Sequence, residues 1–396
     1  MKGNIDSKGA AFLWDESFLW GLVAFRALNA NGLKFKLLRC DDIKQGALAG
    51  YNLLFVPGGW ASNKLKALGP EGAQAVREFV KGGGSYFGIC GGAGLATGEG
   101  LGLLPIGRRP LKERVPSLSG RVRARLASHQ IWGGKEKQHA KFHIWWPSQF
   151  VVNGKNIRIL AEFEGATEDT FSSDIKPVDV KDWAPFEQSY GLNLDPARMH
   201  GDPLVVEGRY GRGNVLASLI HFDTPDDASG QAVLGNIWRY MGGTASGATA
   251  ETETPRAGRQ CAALLGPIEE LMAFGLENSL WSPRGWTIQW RRGVRGLEYA
   301  TLYEMAKELA AMTKDVSDAR LDELSQRLGM FCRKAKTLLT MEKAALSSGE
   351  ALSFSRASSP EMKELREELF SSSKSHGGEF KRVLDLADSL LYEKLE

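Results

Sequence analysis

Cys90 and His221 are the residues of this chain whose types and surroundings fit covalent chemistry. Cys90 stands in Tyr86-Phe87-Gly88-Ile89-Cys90-Gly91-Gly92-Ala93-Gly94-Leu95-Ala96, a short apolar run ending in a G-x-C-x-G turn followed by small residues. The flanking glycines tolerate torsions that a Cβ forbids, so a strand can reverse sharply into a helix and hold the central side chain at the tip, a nucleophile elbow. The sulfur then sits at a helix N-terminus, where the dipole and free N–H groups favour the thiolate. The plainer reading is a buried cysteine in a glycine-rich turn.

A cysteine nucleophile needs a base to take its proton and return it to the leaving group, and that base needs an orienting partner. His221 closes the apolar run Val215 to Ile220, and Asp223 follows two residues later, with Asp226 as a substitute acid. The oxyanion of an acyl transfer needs two N–H donors. Gly91 supplies one by the elbow itself, and Gly59 of Pro57-Gly58-Gly59 supplies the other unless those residues only end a strand. The chemistry so defined is cleavage of an amide through a thioester on Cys90.

Other patterns point elsewhere more weakly. Gly92-Ala93-Gly94 and Gly98-Glu99-Gly100-Leu101-Gly102 resemble phosphate-cradling turns, but a dinucleotide fingerprint belongs in the first strand-to-helix turn, which here is Trp14-Asp15-Glu16-Ser17. No cofactor is expected. His139 and His143 have the i, i+4 spacing of a helical zinc pair, yet they run into the strand-like Ile144-Trp145-Trp146, so no metal is expected either. Between Gly107 and Lys141 stand ten Lys or Arg against two acidic residues, either a solvated face or a surface for an anionic partner. Trp281, Trp286 and Trp290 interleave with Arg284, Arg291, Arg292 and Arg295; the reading preferred over a nucleic-acid or membrane grip is a packed helical core.

These residues need elements to hold them. The order strand (Ala10 to Trp14), amphipathic helix (Ser17 to Asn29, capped by Ser17), strand (Lys34 to Arg39), strand (Tyr51 to Val56), helix (Glu71 to Lys81) and strand at Tyr86 is a βαβ series. It predicts a doubly wound parallel sheet with ligands at the carboxyl ends of its strands, where Gly59 and Cys90 both fall. Pro105 to Met199 reads as an elaboration on that sheet, with short strands at Phe142 to Trp146 and Ile157 to Phe163. A helix from Ala228 to Met241 closes the α/β domain, 1–242. Residues 243–260 have a linker's composition, and 261–396 read as an all-helical domain.

At 396 residues the chain has room for both cores. Its four cysteines, Cys40, Cys90, Cys261 and Cys332, are widely spaced, as in a reducing compartment. With neither a signal-like N-terminus nor an 18-residue apolar run, a cytoplasmic protein without a membrane span is expected.

With Pro-Gly-Gly, Gly-x-Cys-x-Gly and His-x-acid in that order, residues 10 to 242 resemble the class I glutamine amidotransferases. They are more similar still to the amidotransferase-like domain at the N-terminus of large biotin-protein ligases, on Phe55-Val56-Pro57-Gly58-Gly59 and Tyr86 to Ala93. The resemblance implies a flavodoxin-like domain with Cys90 as nucleophile, His221 as base and Asp223 as orienter. Two departures stand out: the family carries His-x-Glu where this chain has His221-Phe222-Asp223, and the interval from Cys90 to His221 is long. No biotin-ligase catalytic domain is visible, nor any synthetase to receive ammonia. The alternative is a binding or regulatory module that keeps the fold without turnover. The expected partners are a small amide substrate and a protein bound through the helical domain, with nucleic acid not expected.

Overall fold

A computed structural model describes residues 9–134, 139–245, 259–285, 288–313, 318–350, 353, 357–371 and 376–396. The chain divides into two compact units, Met1–Glu251 and Thr252–Glu396.

The first unit opens with β1 (Ala10–Leu13), α1 (Phe18–Ala30), β2 (Leu33–Leu38), α2 (Cys40–Lys44), β3 (Leu53–Val56), α3 (Ala61–Lys81), β4 (Ser85–Ile89) and α4 (Gly91–Leu95). Every residue of β1, β3 and β4 is buried, as parallel strands covered on both faces must be. α1 buries Phe18, Leu19, Leu22, Val23, Ala24, Ala27 and Leu28, so it is apolar over more of its surface than the expected amphipathic pattern. Ser17 stands at its N-cap position without a side-chain capping bond, because its hydroxyl is used elsewhere. α3 begins ten residues before the expected helix; it kinks at Gly69, with φ 62°, ahead of Pro70.

After α4 come β5 (Ile106–Arg108), β6 (Leu118–Leu126), β7 (His139–Trp145), β8 (Phe150–Val152), β9 (Arg158–Ala166), β10 (Phe171–Ser172), α5 (Ala184–Tyr190), β11 (Pro203–Tyr210), β12 (Gly213–Ser218), α6 (Ala228–Tyr240) and β13 (Thr244–Ala245). The eleven-stranded sheet runs β10-β6-β9-β11-β12-β4-β3-β1-β2-β13, with β7 on β6. Only β12-β4-β3-β1-β2 is parallel. The expected parallel sheet is thus present as the core of a larger, mixed one. β11 and β12 are joined by a tight turn with Tyr210 opposite Gly213, and a hairpin can only be antiparallel. β6, β9, β10 and β7 extend that antiparallel half.

The second unit contains α7 (Arg259–Glu277), β14 (Ser282–Arg284), β15 (Ile288–Trp290), α8 (Gly296–Met312), α9 (Ala319–Ser347), α10 (Pro360–Phe370) and α11 (Gly378–Leu395). It is not all-helical. Ser282 pairs with Trp290 and Arg284 with Ile288 in a hairpin, and α8 starts only at Gly296, beyond the turn at Gly293 with φ 78°. Its core stacks Tyr299, Phe331, Phe370 and Phe380 at ring separations of 5.7 to 6.2 Å. Trp281 joins that core 5.6 Å from Tyr299, while Trp286 and the Trp290 side chain lie outside the described residues. Within the expected linker, Thr244 and Ala245 pair with β2 and α7 already begins at Arg259; positions 246–258 lie outside the described residues.

Candidate active site

Cys90 follows β4, Gly58 and Gly59 follow β3, and His221 lies three residues past β12. These three strands are parallel neighbours in register, with Val56 beside Gly88 and Ser218 beside Ile89, so all of these residues gather at one edge of the sheet. Cys90 has φ 52° and ψ −103°, a conformation costly for a residue with a Cβ and held by its surroundings. Its N–H donates to the Ser218 carbonyl at 2.7 Å, and the Gly92 N–H donates to the Pro57 carbonyl at 3.1 Å. A Cβ at Gly91 would lie 1.9 Å from the Gly59 oxygen, and one at Gly92 would lie 2.0 Å from the Val56 oxygen. The glycines thus let the Pro57-Gly58-Gly59 loop rest directly on the turn. Gly59 itself has φ 113° and carries the Glu16 carbonyl 2.4 Å from where a Cβ would be.

His221 is held from both sides. Its N–H donates to the His143 carbonyl at 2.9 Å, beside the bridge between Ile144 and Ile220, and its Nδ1 meets Asp223 Oδ1 at 3.0 Å. Both side chains are fully buried. Nε2 of His221 and Oδ2 of Asp223 have no hydrogen-bond partner among the described residues. Burial pulls the imidazole down, but the charge and hydrogen bond of Asp223 outweigh it and, with a further contribution from Cys90, push it up to about 10. Cys90 is therefore close enough to act on the ring, although its Sγ donates to the Trp145 carbonyl, at 3.9 Å. Asp226, the substitute acid, is exposed.

A run of aromatic rings leads away from His221. Trp20 lies 4.7 Å from the His221 ring, and a Cβ at Gly58 would come within 2.9 Å of Trp20 Cβ and 3.3 Å of His221 Cε1. Trp146 stands 6.4 Å from Trp20 and 6.1 Å from Trp145. Trp145 Nε1 donates to Thr224 Oγ1 at 3.1 Å, and Thr224 in turn donates to the His221 carbonyl at 2.9 Å. A second dyad lies alongside: His143 Nδ1 meets Asp227 Oδ2 at 2.7 Å, with the His143 ring stacked on Trp145. Burial raises the Asp227 carboxyl, but its bonds to His143 and Gly230 and the Arg121 charge hold it below the usual range. Beneath Gly59, buried Lys64 donates to Ser17 Oγ and, at 3.1 Å, to the Asp15 carbonyl, which ties α3 to the β1–α1 turn.

The sequence reading named Cys90, His221, Asp223, Gly59 and Gly91, which the fold brings to one edge. It missed Trp20, Trp145, Trp146, Thr224, Asp227 and the role of His143. The available signal was the run His143-Ile144-Trp145-Trp146, whose alternate residues share one face of a strand. His139 and His143 lie about 13 Å apart along β7; His139 pairs with Glu164 instead. Among the described residues no group of three or more His, Cys, Asp or Glu is placed to hold a metal, and no helix is long and apolar enough to cross a membrane.

No family model matches the chain, and no curated protein matches it. Among solved structures it is similar to PurLQS from Thermotoga maritima, at 17% identity over 59% of this chain and 99% of that one, with a TM-score of 0.40. A protein described as a GMP synthase subunit from Thermoplasma acidophilum matches at 14% identity over 59% and 94%, with a TM-score of 0.38. Beta-galactosidase from Bacillus circulans sp. alkalophilus matches at 15% identity over 63% of this chain but 33% of that enzyme, with a TM-score of 0.38.

Proposed function

We propose that the first unit, read as a domain over 1–242, is an amidotransferase-like cysteine hydrolase that cleaves a carboxamide, of glutamine side-chain type, through a thioester on Cys90. The observation carrying this reading is the buried His221–Asp223 pair at 3.0 Å, whose other imidazole nitrogen has no hydrogen-bond partner while Cys90 acts on the ring from a strained turn. With the imidazole pushed up to about 10, the proton rests on His221 at neutral pH. Cys90 Sγ attacks the carbonyl carbon, Gly91 and Gly59 receive the oxyanion through their N–H groups, and the C–N bond breaks as Nε2 protonates the leaving nitrogen. Water then attacks the thioester and gives a proton to His221; Cys90 and the carboxylate are released.

The parallel order β2-β1-β3-β4-β12 agrees with the flavodoxin-like core that the resemblance implies. The closer likeness to biotin-protein ligases rests on the two sequence motifs alone. The second reading, a binding or regulatory module, is favoured by the Sγ contact to the Trp145 carbonyl rather than to the imidazole. A panel of carboxamides incubated with the full chain separates the two. The hydrolase reading expects amine or ammonia release that Cys90→Ala abolishes, and an acyl adduct on Cys90 in acid-quenched samples. No Cys90-dependent release and no adduct would leave the binding module standing. A reducing, cytoplasmic setting and a protein partner for the second unit, its helical domain over 261–396 beyond a linker at 243–260, belong to the same proposal; Cys40, Cys90 and Cys332 are free thiols.

A further inference from the structure

Much of the basic stretch after Gly107 is charge-paired. Arg109 binds Asp202 at 2.8 Å, Arg125 binds Glu162, Lys141 lies 3.4 Å from Glu168 and Arg123 lies 3.9 Å from Glu164, so these are charge-paired. Arg114 differs. Among the described residues it has no carboxylate partner; its Nη1 reaches only the Ser148 carbonyl, at 3.5 Å, and its Nε is buried without a hydrogen bond. The hydroxyl of Ser148 is likewise buried and unbonded. Arg108 flanks the same segment, because it pairs with Phe150 between β5 and β8 and Arg109 N–H donates to the Gln149 carbonyl at 2.9 Å. Its guanidinium has one carboxylate neighbour among the described residues, Glu99, with Nε to Oε2 at 3.7 Å. Burial, and then the charge of the neighbouring Arg108, lower the Arg114 pKa.

Arg108 stands beside the helix that follows Cys90. Arg108 Nη1 lies 3.9 Å from where a Cβ on Gly94 would be, and Gly94 N–H donates to the Cys90 carbonyl at 2.8 Å, one helical turn on. The intervening segment carries Trp146 at φ 51° and Gln149 at φ 49°, two strained residues that hold Ser148 between them. Gln149 is fixed by bonds to Val115 N–H at 2.6 Å and Asp202 at 2.5 Å. The segment is thus anchored at one end by Gln149 and touches the catalytic aromatics at the other through Trp146 and Trp20.

We propose that Arg114 and Arg108, with the Ser148 hydroxyl, bind an oxyanion group, carboxylate or phosphate, of the molecule that Cys90 attacks. This deepens the hydrolase reading and rests on it for the word substrate, but the anion site itself stands on its own geometry. Planar guanidinium donors match the paired oxygens of both groups, and unanswered donors next to a reactive centre are what such a group satisfies.

Alkylation of Cys90 in the full chain tests the site without any turnover, with anionic iodoacetate compared against neutral iodoacetamide. A cleft of one sign concentrates the opposite charge by roughly 10- to 1000-fold. The iodoacetate-to-iodoacetamide rate ratio at Cys90 should therefore fall about tenfold in Arg114→Met and be largely restored in Arg114→Lys; Arg108→Met should lower it in the same direction. The His221 charge is common to all variants and cancels from the comparison. Inorganic phosphate and glutarate are then titrated as protectors against iodoacetate, and selective protection by one identifies phosphate or carboxylate as the group. An unchanged ratio in both methionine variants, or no protection by either anion at millimolar concentration, overturns the proposal. Absence of amide turnover by the unsubstituted chain, with the ratio still falling in the methionine variants, would instead count against the hydrolase reading alone.

Discussion

The α/β unit and the helical unit both bury ionisable groups, and the atoms each leaves unbonded differ. In the first, the unbonded atoms among the described residues include His221 Nε2 and Asp223 Oδ2, at strand ends beside a thiol on a strained turn. In the second, Glu342 accepts from Arg366 Nε at 3.0 Å and Nη2 at 2.7 Å within an aromatic core, while its other oxygen and the Tyr299 hydroxyl have no hydrogen-bond partner. Arg366 also donates to the Ser353 carbonyl at 2.9 Å, and Arg295 lies over the Phe370 ring at 4.6 Å. Burial pushes the Glu342 carboxyl up to about 7, against the pull of Arg366 and Arg295, with Glu298 adding to the rise. The described cysteine of that unit is not activated: burial, and then Glu270, push the Cys332 thiol up to about 12. Buried charge therefore marks a candidate reaction site only where a strained nucleophile meets it; in the bundle it ties α9 to α10.

Breaking the bundle's pair should have the largest effect. Arg366→Met leaves Glu342 buried without its partner, a loss of about 3–5 kcal/mol. The loss should be smaller at pH 5, where Glu342 protonates, than at pH 8; denaturant melts at the two pH values check this, and equal losses would remove the pair from the account.

Next is the elbow. Gly91→Ala drives a Cβ into the Gly59 backbone and should cost about 3 kcal/mol, whereas Gly94→Ala, whose Cβ would lie 3.3 Å from the Ala61 Cβ, should cost under about 1 kcal/mol. Thermal melts rank them, and similar costs would mean that the loop does not press on the turn.

The units should also separate by pH. His221 is raised, so its contribution to the α/β unit is full below about 6.5 and is lost as pH climbs to about 10. Glu342 is a raised acid, favoured neutral in the fold, so the helical unit loses stability between about 4.5 and 7 and is level above that. Hydrogen exchange followed on β4 and on α9 reads the two windows, and coincident profiles would contradict the assignment. The subtlest expectation is kinetic: iodoacetamide should modify Cys90 before Cys40 and Cys332. Burial, and then the Asp15 charge, push the Cys40 thiol far up, as burial does for Cys332. Peptide mapping after limited labelling gives the order.

Much of the first unit was readable along the chain. β1, β3 and β4 are short apolar runs, and the elbow is a local device whose glycines are demanded within five residues. β6 was not readable: in Leu118-Ser119-Gly120-Arg121-Val122-Arg123-Ala124-Arg125-Leu126 the arginines alternate outward and resemble a polar loop. The same holds for the antiparallel direction of β11, which a tight turn settles, and for the hairpin at Ser282 to Trp290, where helical spacing was a poor guide to a short apolar run.

The amino-acid sequence by itself determined the turn at Cys90, the positions of Gly59 and Gly91, and the nearness of His221 to Asp223, because each depends on backbone torsions or spacing over a few residues. Only the tertiary structure decided that Asp223 rather than Asp226 meets the imidazole, that Trp20 packs on it with Trp146 against Trp20, and that Arg114 has no carboxylate partner among the described residues. The last two join residues far apart in the chain, gathered by the β6–β7 pairing and the bridge from Ile144 to Ile220. They are selected by the summed packing of the whole unit, which no local pattern encodes.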